Sequence, residues 1–390
     1  MPTALDYASE LIEFDSVSSK SNVPVSEYVE YRLQQLKFEI ERVEYTDGHG
    51  VAKVNVLGKL GSGTGGMAYF GHTDVVPALD WKFAEHGPFT PTVREGKLYG
   101  RGSTDMKGSI ACMLAAVTEL AGRPLQAPVY LCCTADEESG MHGAAQVQKN
   151  SQLFREIVQG HSRSIVGEPT SLDVVHGHKG GCSIEVTAHG IAAHSSSKSG
   201  VNANWKMIPF LAAMKQLNEE LETDPKWQNT KFNPPTMTMN LGINDHNPAV
   251  NITAAKSICT IYFRAMPDIN TDPILERIKS AAEANGLEYV LTFRATPFFR
   301  DPQTTFVQEC LKFSAASQSR TVAYGTDAAH FYELENCVIL GPGNIAQAHT
   351  HDEWIRLEDL AQGTQVYRSM LESWCLVPDG GQNPPQVALA

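Results

Sequence analysis

Three short apolar runs constrain this chain more than any other feature. Met67-Ala68-Tyr69-Phe70 runs into Gly71-His72-Thr73-Asp74. Val129–Thr134 runs into Ala135-Asp136-Glu137-Glu138-Ser139-Gly140. Ser164-Ile165-Val166 runs into Gly167-Glu168-Pro169. Each is short and apolar enough for a buried strand, and each ends on a histidine or an acid. A fourth run, Cys337–Leu340, leads into Gly341-Pro342-Gly343 and then His349, His351 and Glu353. Helical patterns separate these runs. Ile110, Met113, Leu114, Val117 and Leu120 recur at helical spacing just after the glycine-shaped stretch Tyr99–Gly108, which carries Asp105. Strands alternating with helices predict an α/β fold with a doubly wound, mostly parallel sheet. In such sheets ligands gather beyond the carboxyl ends of the strands.

Taken singly, these residues have ordinary readings: a helix-capping Asp105, a hydrogen-bonded core His72, a solvated acidic run at 136–138. Their joint placement at strand ends is harder to explain that way. Consecutive acids leaving an apolar strand repel one another, and a divalent cation relieves that repulsion. His72, Asp105, Glu137 or Glu138, Glu168 and His349 together make a His/carboxylate set suited to more than one zinc-type ion. Asp74, two residues past His72, is placed to hold the ring's second nitrogen.

At 390 residues the chain is long enough for two domains, and a net charge of −13 argues against nucleic-acid or anionic-membrane partners. Its eight cysteines are scattered, with no Cys-x-x-Cys, and read as reduced core thiols of a cytoplasmic protein. The first fourteen residues read as an amphipathic helix and not a signal peptide, and no run is apolar enough to span a bilayer. Helices are expected over 4–14 and 25–38, a strand over 51–57 and a hairpin loop over 58–66. That loop is glycine-rich but lacks the Gly-Lys-Ser/Thr ending of a phosphate loop.

From His178 to Pro297 the character changes. The pattern reads strand (182–188), helix (202–222), strand (236–243), strand (257–265), helix (273–285), strand (288–295). That is the βαββαβ order of a ferredoxin-like α+β domain. The expected organisation is a discontinuous catalytic domain, 1–177 and 298–376, an inserted domain, 178–297, and a proline- and glycine-rich disordered tail, 377–390.

The motifs GHTDVVP, YGRGSTDMKG, TADEESG, VGEPT, GIAAHSS, LGPG and AHTHDE stand in one order along nearly the whole chain. In this the chain resembles the zinc aminoacylase/carboxypeptidase clan, the M20 metallopeptidases, which holds acetylornithine deacetylases and succinyl-diaminopimelate desuccinylases. The resemblance implies two divalent metal ions, zinc or cobalt. His72 and Glu168 would hold one, Glu138 and His349 the other, and Asp105 would bridge them. Glu137 would be the general base and Asp74 would orient His72. The Asp105–Met106 peptide would be cis. His349 is preferred to His351 because the clan's ligand stands four residues before the acid, here Glu353.

His194 would stabilise the oxyanion from a partner subunit, making the inserted domain a lid and the interface of a homodimer. Arg264, Asn251, Gly325, Thr326, Gly341 and Gly343 would bind substrate, a small N-acyl amino acid. Gly341-Pro342-Gly343 and Ala348-His349 look closer to the deacetylases. The desuccinylases resemble Gly-Arg-Arg-Gly where this chain has Gly177-His178-Lys179-Gly180, and an arginine where it has His330. Desuccinylase is the alternative, then a general aminoacylase or dipeptidase. A catalytically silent binding protein should lack the base or a ligand, and none is missing here.

Overall fold

The computed structural model describes residues 1–377. The tail expected from 377 therefore lies, beyond Val377 itself, outside the described residues. Two compact units emerge. One holds residues 1–177, 300–320 and 326 onward; the other holds 178–299 and 321–325. Residues 321–325 thus go with the second unit, unlike the boundary expected at 298. There the Thr321 hydroxyl donates to the carbonyl of Lys231 at 2.6 Å.

The first unit is built on a large mixed sheet. Its middle four strands, in the order Val129–Thr134, Met67–His72, Arg163–Val166, Cys337–Ile339, pair parallel. Antiparallel pairing flanks them: the hairpin Glu39–Thr46/Ala52–Leu60 on one side and Val175–His178 on the other. Parallel strands are buried on both faces, and Met67–His72 and Val129–Thr134 are buried at every residue. Successive residues point to opposite faces. Tyr69 meets Tyr367 of the helix Leu357–Trp374, with ring centroids 5.4 Å apart. Phe70, on the other face, packs on Phe154 of the helix Gln152–Gln159 and on Phe331. Helices therefore cover both faces of the sheet.

Local differences from the sequence reading have identifiable causes. The first two helices span Ala4–Ile12 and Val23–Gln35, the first closed by a Thr3/Asp6 capping box and the second begun with Pro24 in its first turn. The segment 58–66 does not close a hairpin. Ala52–Leu60 pairs with Glu39–Thr46 and Val129–Thr134, whereas Met67–His72 pairs elsewhere. The strand Glu39–Thr46 lacks a clean apolar alternation, since one residue of its eight is buried, and was not anticipated.

The second unit has the element order strand Gly181–His189, helix Ala203–Thr223, strands Met239–Asn244 and Lys256–Phe263, helix Asp272–Ala284, strand Glu288–Ala295. All its strand pairings are antiparallel, with Gly181–His189 and Lys256–Phe263 central. One core, including Ile184, Phe210, Leu217, Ile261 and Ile278, joins sheet to helices. The expected strand at 236–243 begins only at Met239, because Thr236 pairs with Gln228 in an isolated bridge.

Candidate metal centre

The four parallel strands deliver their ends to one place. His72 is the last residue of its strand. Glu137 and Glu138 follow Val129–Thr134 through Asp136, whose φ of +57° turns the chain sharply. Glu168 follows Arg163–Val166, and His349, itself at φ +63°, follows Cys337–Ile339 through the Gly341–Gly343 turn. Asp105 stands just before the helix Lys107–Glu119, and the Asp105–Met106 peptide is cis. Left-handed backbone at Asp136 and His349 is uncommon for residues with a side chain, and strain of this kind clusters at functional sites.

Asp105 is the centre of the arrangement. Its Oδ1 lies 3.1 Å from His72 Nε2 and its Oδ2 lies 3.4 Å from His349 Nε2. Glu168 Oε1 is 3.9 Å from His72 Nε2, and Glu138 Oε1 is 3.0 Å from His349 Nε2. Two sets follow, His72–Asp105–Glu168 and Asp105–Glu138–His349, each with its donor atoms within 4.8 Å of one another. His349, not His351, joins this group; His351 Nδ1 instead pairs with Asp80 at 2.7 Å on the surface.

The tautomer of His72 tests whether these residues suit a cation. Its Nδ1 lies 2.9 Å from the main-chain carbonyl of Asp74, so Nδ1 carries the hydrogen and Nε2 presents a lone pair. That lone pair faces carboxylate oxygens of Asp105 and Glu168. Only a proton or a cation relieves such a meeting. One imidazole and two carboxylates without sulfur suit zinc, cobalt or manganese.

Charge points the same way. Burial opposes a charged His72, yet the Asp105 hydrogen bond and the fields of Glu168 and Glu137 hold its pKa well above the usual histidine range. Hydrogen bonds to Asp105 and Glu138 raise His349 to about 10. Burial, with the charge of Asp105, lifts Glu138 to about 7. Burial and neighbouring acids push Glu137 and Glu168 well above the carboxylate range. Asp105 alone is held below it, burial being outweighed by its hydrogen bonds to His349 and His72. Acids crowded until they must take up protons are the condition that divalent cations relieve.

Asp74 stands beside the second ring nitrogen of His72, as its spacing suggests, with the main-chain carbonyl at 2.9 Å and carboxylate Oδ1 at 3.7 Å. The carboxylate also anchors the next turn. Oδ1 accepts the main-chain N–H of Glu137 at 3.1 Å and Oδ2 that of Glu138 at 3.2 Å. Two further acids hold the site through partners distant in sequence. The buried Glu353 carboxylate accepts the N–H groups of Gly102, Thr104 and Asp105, each at 2.9 Å, and pairs with Arg101 at 2.8 Å. Asp327, also buried, accepts the Thr134 hydroxyl at 2.5 Å and is lifted to about 7 by burial. The place of Glu353 as the last residue of the AHTHDE motif was visible, and that of Asp327 after Gly325-Thr326; their partners were not.

Of the expected substrate residues, Thr326, Gly341 and Gly343 belong to the first unit. Thr326 is buried and caps a short turn through Ala328 N–H. A Cβ on Gly341 would stand 2.3 Å from the Gly167 carbonyl, and Gly343 sits at φ +82°. In the second unit, Arg264 stacks on Tyr262 at 4.9 Å and has no acid partner among the described residues. Asn251 accepts the Ser195 N–H at 2.9 Å through its main chain, and Gly325 lies in the 321–325 segment. His194 is exposed, and its Nδ1 accepts the Ser196 N–H at 3.2 Å, which leaves the ring hydrogen on Nε2.

Comparison with known proteins decides the lineage. The profile of peptidase family M20/M25/M40 matches residues 68–373. The chain belongs to this family. As an M20 chain it is a metal-dependent hydrolase of amide bonds. An acetylornithine deacetylase of Proteus mirabilis (strain HI4320) is 31% identical over 389 residues, spanning 96% of this chain and 98% of its own. An M20 family metallo-carboxypeptidase of Sulfolobus solfataricus superposes with a TM-score of 0.75 at 18% identity, over 95% of this chain and 99% of its own. A dinuclear metal-binding M20 peptidase of Bacillus subtilis superposes with a TM-score of 0.62 at 14% identity, over 94% and 96%. The M20 fold thus accounts for the large mixed sheet. No helix among the described residues is long and apolar enough to cross a membrane.

Proposed function

We propose that this M20 hydrolase removes the acetyl group from N-acetyl-L-ornithine, giving L-ornithine and acetate. The observation that carries the chemistry is the Asp105 carboxylate, with one oxygen toward each of two histidines. Near-full-length similarity to acetylornithine deacetylases supports the substrate. His72, Asp105 and Glu168 would hold one divalent ion, zinc or cobalt, and Asp105, Glu138 and His349 the other. Such a pair supplies Lewis acidity to the amide carbonyl and lowers the pKa of water.

The chain's own residues do the rest. Glu137 takes a proton from the attacking water and gives it to the departing amine as the C–N bond breaks. Asp74 fixes the direction of the two glutamates by holding both of their N–H groups. His194 of a partner subunit in a homodimer offers an Nε2–H donor to the oxyanion. Arg264 takes the substrate carboxylate, with Asn251, Gly325, Thr326, Gly341 and Gly343 as the further contacts. Eight buried cysteines, all free, fit a cytoplasmic setting.

Desuccinylation is the less favoured reading. A second distal carboxylate needs a free cation, and Lys179 spends its ammonium on the carbonyls of Pro234 and Thr236, both at 2.8 Å. Zinc- or cobalt-loaded protein should be assayed with N-acetyl-L-ornithine, N-succinyl-diaminopimelate, other N-acyl amino acids and dipeptides. The highest kcat/KM is expected for N-acetyl-L-ornithine. Faster hydrolysis of another member of the panel would reassign the substrate, and no turnover at all would reject the reading.

A further inference from the structure

The mechanism uses Glu137 and Glu138 but leaves out the acid before them. Asp136 is 2% exposed and pairs through Oδ1 with the ammonium of Lys53, itself 1% exposed. Lys53 lies on the strand Ala52–Leu60, directly opposite Tyr45 in the antiparallel register. The Tyr45 hydroxyl donates to the other Asp136 oxygen, Oδ2, at 2.8 Å. A cross-strand pair thus grips both oxygens of one buried carboxylate.

The same hairpin holds the residue before. Asn55, two residues past Lys53 and so on the same face, accepts the Ala135 N–H at 2.9 Å. Its amide in turn donates to the carbonyl of Val43, its own cross-strand partner, at 3.1 Å. Lys53 also donates to the carbonyls of Ser18 at 2.5 Å and Lys20 at 2.9 Å. The Ser18 hydroxyl donates to Asp74 Oδ2 at 2.6 Å, and Asp74 holds the N–H groups of Glu137 and Glu138. Every residue from Ala135 to Glu138 is therefore tied to this network by a main-chain or side-chain polar group.

The geometry points to Lys53 and Asp136 as positioning residues for Glu137: the hairpin-borne ion pair holds Asp136 in its left-handed turn, and that turn sends the two following glutamates to different places. This rests on the reading of Glu137 as the base. Stability alone does not account for the pair. A buried ion pair costs much in desolvation, and apolar side chains of similar volume commonly serve stability as well or better. Apolar side chains cannot grip a φ of +57° by two oxygens. The antiparallel hairpin at the sheet edge, which carries no ligand itself, acquires a purpose on this account.

The test replaces the pair by an apolar one, Lys53→Met with Asp136→Leu, in the full-length, zinc-loaded protein. Melting temperature, bound zinc, kcat, KM and amide hydrogen exchange at Glu137 and Glu138 are measured, with N-acetyl-L-ornithine as substrate. The expected result is a folded, zinc-bound protein whose kcat falls about 100-fold while KM stays within about twofold. Exchange at the two amides should quicken about tenfold. A kcat within about threefold of the parent, with unchanged exchange, overturns the inference. Should the apolar pair not fold, Asp136→Asn decides: the same losses are expected, and parent-like kcat and exchange overturn it. Glu137→Gln runs alongside. If that variant keeps parent activity, the reading of the base fails by itself, and amide exchange still decides the positioning role of Lys53 and Asp136.

Discussion

The carboxylate of Glu353 accepts the main-chain N–H of Asp105 at 2.9 Å, across 248 residues of sequence. Through that bond and those to Gly102 and Thr104, one buried acid sets the loop that carries the residue shared by both ligand sets. It is itself neutralised by Arg101. The site thus depends on a carboxylate that touches neither histidine.

Glu353→Ala would leave the Arg101 guanidinium buried and unpaired. Removing one member of a buried pair costs about 3–5 kcal/mol. The variant should melt well below the parent in thermal scans. Zinc titration of whatever folded protein remains should show weakened binding, by about 10–100-fold, as for other residues that orient ligands. Parent-like melting and zinc affinity would refute the role given to Glu353.

Glu137→Gln keeps the volume and removes the base. Loss of general-base catalysis costs about 100- to 10,000-fold in rate. The expected variant binds zinc with parent stoichiometry, melts normally and loses kcat by that order. Metal analysis beside steady-state kinetics checks it, and loss of zinc together with activity would make Glu137 a ligand instead.

The pH dependence of the metal-stripped protein follows from the site's acids. Glu138 and Asp327 both titrate near 7 when folded, above their ordinary values, because burial favours the protonated form. A carboxyl raised in this way stabilises the fold fully below its unfolded pKa and loses that contribution as pH rises through the folded one. His349, raised to about 10 by Asp105 and Glu138, likewise contributes most below about 6.5 and loses it toward 10. The stripped protein should therefore melt at falling temperature from about pH 5 to pH 8, with a further fall toward pH 10. Saturating zinc should flatten the trend, because the acids then need no protons. Thermal scans with chelator and with zinc across that range decide it; parallel curves would contradict the assignment.

Gly167 is tied to packing beneath Glu168. A Cβ there would stand 2.3 Å from the Tyr69 hydroxyl and 2.5 Å from the Ser109 hydroxyl, two members of a buried chain that reaches Tyr367 and the Leu340 carbonyl. Gly167→Ala should cost about 1–3 kcal/mol by overpacking and weaken zinc binding through Glu168. Adding Tyr69→Phe to it removes the nearest atom and should restore part of the loss. Chemical denaturation of the single and double variants measures both effects.

For His194 the expected signature is complementation. His194→Ala and Glu137→Ala proteins, each inactive alone, should regain activity when mixed and allowed to exchange subunits. An assay of the mixture showing no gain would remove the cross-subunit role.

The α/β class was legible because its signal is local: apolar runs too short for helices, alternating with helical spacing. The candidate ligands were legible for the same reason. His72, Glu137, Glu138 and Glu168 sit at or just past the end of such a run, so strand ends that gather in a parallel sheet bring them together, while Asp105 enters from the turn before a helix and His349 from the loop after the fourth strand. The hairpin strand Glu39–Thr46 was not legible, since an edge strand with one buried residue has no clean alternation to read. Nor were the contacts of Asp74. Residue spacing put it beside His72, but whether its carbonyl or its carboxylate faced the ring depended on the turn at 136–138, which comes from another strand.

The sequence by itself determined which chemical groups stand at the ends of four strands, because strand burial and turn chemistry are written in neighbouring residues. Tertiary structure decided how those groups are held. Glu353 on the Asp105 loop, Lys53 and Tyr45 on Asp136, and Thr134 on Asp327 are pairings between distant segments. Such pairings follow from sheet order and register. No run of neighbouring residues encodes them, and a buried charge finds its partner only when the chain has closed around it.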